Sequence, residues 1–239
     1  MKKPLRARIG GARVAAPSAV AERARAGLFA YVDGMAAQGA APETALAEIA
    51  EGKAATGIAR VALSATAAPA GLACTRGCAF CCILGGEDGA TITEAEARAL
   101  HAALRPLAGQ PDGRAWHPRA CPALDPETRA CRAYDARPVI CRSYVSTDAA
   151  ACERVAGGIP AQGPGTLGPY HTYLAALGLS RAALRGVRRV STHALSRLAA
   201  AAVEGASLED ALAASRHKPG ALDAELSRSR RDRSRAGLP

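Results

Sequence analysis

The chain has 239 residues, 49% of them apolar but only 3% aromatic, and a formal net charge of +10. Residues 1–13 carry five cations and no acid, and residues 226–239 carry five arginines against one aspartate, so only +1 remains between them. The body is therefore near neutral; nucleic acid is expected to meet only the basic tails, and weakly, while the lack of any run of about 18 apolar residues excludes a membrane-spanning helix.

Residues 1–17, with Gly10-Gly11 and Pro17, read as a flexible basic segment. Arg6, Arg8 and Arg13 interrupt anything that could follow Met1-Lys2-Lys3 as a signal peptide, so the cytoplasm is the expected location. Val20, Leu28, Val32 and Met35 predict a helix from Ser18 to Met35. Pro42 suits a first helical position, Leu46 and Ile49 share a face, and that helix is expected to pass Gly52 and Gly57 and reach about Ser64. Pro69 and Gly71 open an irregular stretch. Thr93 and Glu96 have capping-box spacing, with Ala97, Leu100, Leu104 and Leu107 behind them, which predicts a helix from Thr93 to Leu107. Gly109 to Pro169 reads as loop with short turns. Leu184, Val187, Leu195 and Leu198 predict a helix from Ser180 to Val203, and Ser207 caps a short one to about Arg216. Residues 226–239 are a Ser/Arg tail that reads as disordered. The expectation is a mainly α protein, one helical domain over 18–225 built around an irregular cysteine-rich segment. Alanine replaces aromatics in such a core and buries little area per residue, so a metal cross-link would stabilise it.

All eight cysteines fall between 74 and 152. Cys74, Cys78, Cys81 and Cys82 form one group; Cys121, Cys131, Cys141 and Cys152 follow at intervals of about ten residues. In a reducing compartment such clustering points to metal ligands rather than disulfides. Thiolates suit zinc, iron and iron–sulfur clusters alike. The Cys78-x2-Cys81 gap lets the chain present two sulfurs to one metal, and Gly77 supplies backbone freedom at that turn. Cys82, next to Cys81, and the distant Cys152 are the weakest ligands of the eight, since neighbours on an extended chain point apart. Arg76, Arg119, Arg129, Arg132, Arg137 and Arg142 lie near cysteines in sequence, where cations lower thiol pKa values and stabilise an anionic centre. His117 is a further candidate ligand, while His171 and His193 read as ordinary helix or surface residues. Trp116, Phe80, Tyr134 and Tyr144 are expected to form a small core around the site.

The run Cys74-Thr75-Arg76-Gly77-Cys78-Ala79-Phe80-Cys81-Cys82 resembles the signature of the zinc- or iron-chelating CxxCxxCC family, also called YkgJ-type cysteine cluster proteins. Cys121-Pro122-Ala123-Leu124-Asp125 resembles its second motif. Cys131 to Tyr144, with Tyr134, Arg137-Pro138 and Cys141-Arg142, resembles its third. The resemblance covers roughly 70–155. It implies metal or iron–sulfur binding by the matched cysteines, and its flagellin lysine methylase relatives suggest an iron–sulfur enzyme using S-adenosylmethionine as an alternative. A radical S-adenosylmethionine pattern can be traced in Cys74-x3-Cys78-x2-Cys81 with Gly85-Gly86-Glu87, although no series of strand–helix units follows. A structural zinc domain that contacts a protein partner, or a redox protein, also fits the residues. They name no substrate and leave enzyme activity open.

Overall fold

The computed structural model describes residues 4–83, 88–163 and 165–235. In chain order it contains α1 (Leu5–Gly11), α2 (Ser18–Ala37), α3 (Pro42–Glu51), α4 (Lys53–Ser64), β1 (Thr91–Thr93), α5 (Glu94–Leu104), α6 (Val139–Ser143), β2 (Tyr144–Val145), α7 (Ala149–Ala156), β3 (Gly165–Thr166), α8 (Gly168–Ala183), β4 (Thr192–Ala194), α9 (Leu195–Val203), α10 (Leu208–Ser215) and α11 (Ala221–Arg235). The protein is mainly α, as its composition implies. No helix among the described residues is long and apolar enough to cross a membrane.

The chain divides into two compact units: residues 1–65, 168–192 and 217–239, and residues 66–167 and 193–216. In the first, α8 is the centre. Thirteen of its sixteen residues are buried, including Tyr173, Leu174, Leu177 and Leu179. A helix buried on all sides carries no polar stripe, which is why periodicity does not mark it. Its Gly178 permits close packing: a Cβ there would collide with Val14 and stand 3.1 Å from Leu226. Helices α1, α2, α4 and α11 pack against α8. Gly52 adopts a left-handed conformation (φ 81°) and separates α3 from α4, so the single helix expected from Pro42 to Ser64 is two.

The chain ends, expected to be loose, contain helices. In α11 the apolar Leu222 and Leu226 are buried, and Ser229 lies 2.6 Å from Nδ1 of His171 on α8. His171 is therefore a core residue, not a surface one. Burial, helped by the charge of Arg233 and opposed by Asp232, lowers its pKa to about 4. The unfolded chain titrates near 6.5, so it binds a proton that the folded chain refuses. Stability is full above about pH 6.5 and falls as the pH drops toward 4, by on the order of 2 kcal/mol. Urea unfolding at pH 7 and pH 4.5 should show this loss, and His171→Gln should remove its histidine component. An identical pH dependence in the variant would refute it.

The second unit holds the cysteines. Its core joins α5, α9 and α10 through Leu100, Leu104, Leu195, Leu198, Val203 and Leu212. The helix expected from Ser180 to Val203 is interrupted: only 180–183 and 195–203 are helical. α8 ends at Ala183, a turn with Gly186 at φ 72° follows, and β4 intervenes before α9. His193 and Ala194 of β4 fall in this unit, where the strand pairs with β1; Leu195 then donates its N–H to Ala90. β2 pairs antiparallel with β3, Tyr144 opposite Thr166 and Val145 opposite Gly165. The stretch expected to be loop carries α6 and α7. Strands of two or three residues supply no strand–helix series for a barrel, and Gly85-Gly86-Glu87 lie outside the described residues.

Candidate metal centre

Backbone bonds bring distant cysteines together. Thr75 accepts from the N–H of Cys78, with Gly77 at φ 85° and Ala79 at φ 55°, and the chain then turns through a short 3-10 segment, Phe80–Cys82. A side chain at Gly77 would press on the carbonyl of Thr128 at 2.9 Å, so glycine serves there for conformation and for space. Cys121 donates its N–H to the carbonyl of Cys82 at 2.8 Å, tying the first cysteine group to the second. From Cys121 the chain turns back to Cys131. Asp125 holds that turn, its Oδ1 accepting from Thr128 N and Thr128 Oγ1, both at 2.8 Å, and Leu124 bridges to Cys131. Asp125 is thus an organiser of the turn.

Cys121 belongs to the apolar core, and Cys82, Cys131 and Cys141 pack against the same core. Cys81 is exposed, so this group of thiols opens to the surface there. The thiols feel one another. A hydrogen bond with Cys82 holds the Cys81 pKa down and raises that of Cys82. Burial pushes Cys121 to about 12, and the charges of Cys131 and Cys81 add to the shift. Burial also raises Cys131, and raises Cys141 strongly, with Cys121, Cys131 and Cys81 contributing to the latter. Five thiols, Cys81, Cys82, Cys121, Cys131 and Cys141, therefore form one electrostatic group. Cys74 and Cys152 border it. Cys74 Sγ accepts from Ser146 N at 3.3 Å; Cys152 sits on α7, which packs against the Phe80–Cys82 turn. Tyr144 is raised by burial and then by Cys152, Cys81 and Cys74. Cys78 lies half-buried on the turn before Cys81. All eight are free thiols.

Of the six nearby arginines, two act on the thiols. Arg137 lowers Cys81 and Cys131, and its guanidinium lies 3.6 Å from the centre of the Tyr134 ring. Arg132 lowers Cys131, and its Nε and Nη2 are buried with no hydrogen-bond partner among the described residues. Arg142 instead braces the carbonyls of Arg137 and Asp135, Arg119 reaches Ala156, and Arg129 lies over Trp116. His117 Nδ1 accepts from the backbone of Arg119, and buried His193 bonds Ser215. Tyr134 is exposed rather than part of a core.

Glu96, legible in the sequence only as a helix cap, also reaches the helix that carries Cys141. Glu96 completes the expected capping box, accepting from Thr93 N at 3.0 Å while Thr93 Oγ1 accepts from Glu96 N. Its other oxygen, Oε1, accepts from Val139 N at 2.7 Å, the first residue of the helix that carries Cys141. Glu96 is 3% exposed.

Among the described residues no three His, Cys, Asp or Glu side chains already stand as a metal polyhedron. The donor set nonetheless fits zinc or iron. It consists of soft sulfur, and a metal held by several thiolates is anionic, which would match the buried, unpartnered guanidinium edge of Arg132. Residues 73–156, about a third of the chain, match the CxxCxxCC family, described as "Putative zinc- or iron-chelating domain". No curated protein and no solved structure matches the chain.

Proposed function

We propose that the segment 73–156 binds zinc or iron, as an ion or as an iron–sulfur cluster, through its cysteines. Cys81, Cys82, Cys121, Cys131 and Cys141 are the inner ligand candidates, and Cys74, Cys78 and Cys152 the outer ones. The observation that carries this reading is the gathering of four cysteines, Cys82, Cys121, Cys131 and Cys141, at one core, next in sequence to Cys81 and to Arg132, whose buried Nε and Nη2 have no hydrogen-bond partner among the described residues. Bound metal would supply the cross-link that this alanine-rich core lacks. The chain's own part is to release thiol protons, gather the sulfurs from three separated segments, and balance their negative charge with Arg132 and Arg137.

Purification without oxygen, followed by measurement of zinc, iron, acid-labile sulfide and the visible spectrum, tests it. Stoichiometric zinc in colourless protein would support a closed structural centre. Iron with sulfide in brown protein would support a cluster, and S-adenosylmethionine binding would then be measured. Protein that holds neither metal, and takes up neither on reconstitution, would overturn the proposal.

A further inference from the structure

A cavity of about 660 Å³ opens in the first unit, far in sequence from any cysteine. The turn after α8 and the start of the α11 segment line it, and they bring Arg181, Arg185, Arg188, Arg189, His217 and Lys218 to one place. Arg181 bonds the carbonyl of Pro219 at 2.8 Å and lies 3.6 Å from Asp223. Arg185, Arg188, Arg189 and Lys218 are exposed and have no acidic partner among the described residues. Burial depresses the Arg181 pKa, Asp223 opposes that shift, and the charge of Arg189 adds a smaller depression, so Arg181 and Arg189 lie within reach of one another's charge.

Arginines after a helix often serve only its negative C-terminal end. Here Arg8 already takes that role, donating to the carbonyls of Ala183 at 2.6 Å and Arg185 at 2.7 Å. The cavity's cations are left without such work. Buried Ser191 and Thr192 add hydroxyls to the lining. The volume is that of a small-molecule site. No Phe, Tyr or Trp lines it and its one ring, His217, is buried, which disfavours base stacking and hence single-stranded nucleic acid. Guanidinium groups pair with phosphate through two parallel N–H···O bonds, and a cluster of this many cations suits more than one phosphate.

We propose that this cavity binds a compact, multiply phosphorylated small molecule. The proposal is independent of the metal centre. Calorimetric titration of the full chain with tripolyphosphate should show one saturable site, weakened as salt is raised. The double variant R188A/R189A, in exposed positions, should bind on the order of a hundredfold more weakly, about tenfold for each charge-assisted hydrogen bond removed, with an unchanged melting temperature. Lys218→Ala, on a separate segment, should weaken binding as well. No saturable binding by the unaltered protein, or equal binding by these variants, would overturn it. So would tighter binding of a long oligonucleotide than of tripolyphosphate through the same arginines, which would make the cavity part of a nucleic-acid surface.

Discussion

Cys141→Ala is expected to empty the metal centre and to destabilise the cysteine-bearing unit. Cys141 sits on a helix of five residues, too short to hold itself. Its thiol faces Cys121, Cys131 and Cys81, and burial holds it protonated in the absence of metal. Ligation would displace that proton and bind the short helix to the Cys121–Cys131 turn. Structural zinc contributes roughly 10 kcal/mol of folding free energy in small domains, so losing an inner ligand should cost several kcal/mol. Metal per chain should fall well below that of the unaltered protein, and the melting temperature should fall with it. Cys141→Ala compared with the unaltered protein after complete chelation separates the two causes. If the variant melts far below the chelated protein, the cavity left by the side chain dominates and the metal contributes little. Full metal occupancy in the variant would remove Cys141 from the ligand set.

Much of the helical framework could be read from local signals because those signals act locally. The Thr93–Glu96 box and the Ser207 cap form as expected, and Pro42 begins a helix. The apolar positions from Val20 to Met35 mark α2 to within two residues of its end. What escaped depends on burial and distance. α8 is buried on nearly every side, its polar His171, Thr172 and Ser180 included, so it has no stripe. Leu184 and Val187 fall at helical spacing with Leu195 and Leu198, yet Gly186 and β4 break the run. The Ser/Arg composition near the end conceals Leu222 and Leu226, which are enough to seat α11. At the centre, sulfur chemistry was legible from the clustering of cysteines. Which arginines face the thiols was not. Arg132 and Arg142 are equally close to cysteines in sequence, but one is half-buried, with its charge acting on Cys131, and the other braces a loop.

Glu96→Ala should give the second large effect, and it tests whether the centre is positioned from outside the cysteine segment. The carboxylate joins two elements 43 residues apart in sequence. Its loss would remove the reciprocal half of the α5 capping box, the acceptor for Thr93 N, while Thr93 Oγ1 still accepts from the backbone of residue 96; Thr93 N and Val139 N would both be left without this acceptor, at roughly 1–3 kcal/mol each. A total near 3 kcal/mol is expected from urea unfolding of protein with metal bound. A purely structural role would stop there. If Glu96 also sets where Cys141 stands, metal affinity should weaken by about 10- to 100-fold, the range typical of residues that orient ligands. Glu96→Gln discriminates further. One amide oxygen can still accept from Val139 N, but the amide NH2 then meets the Thr93 N–H as donor against donor. That variant should recover most of the metal affinity while losing the contact to Thr93 N. Unaltered affinity in Glu96→Ala, measured by competition with a chromophoric chelator, would show that the thiols find their places without this carboxylate.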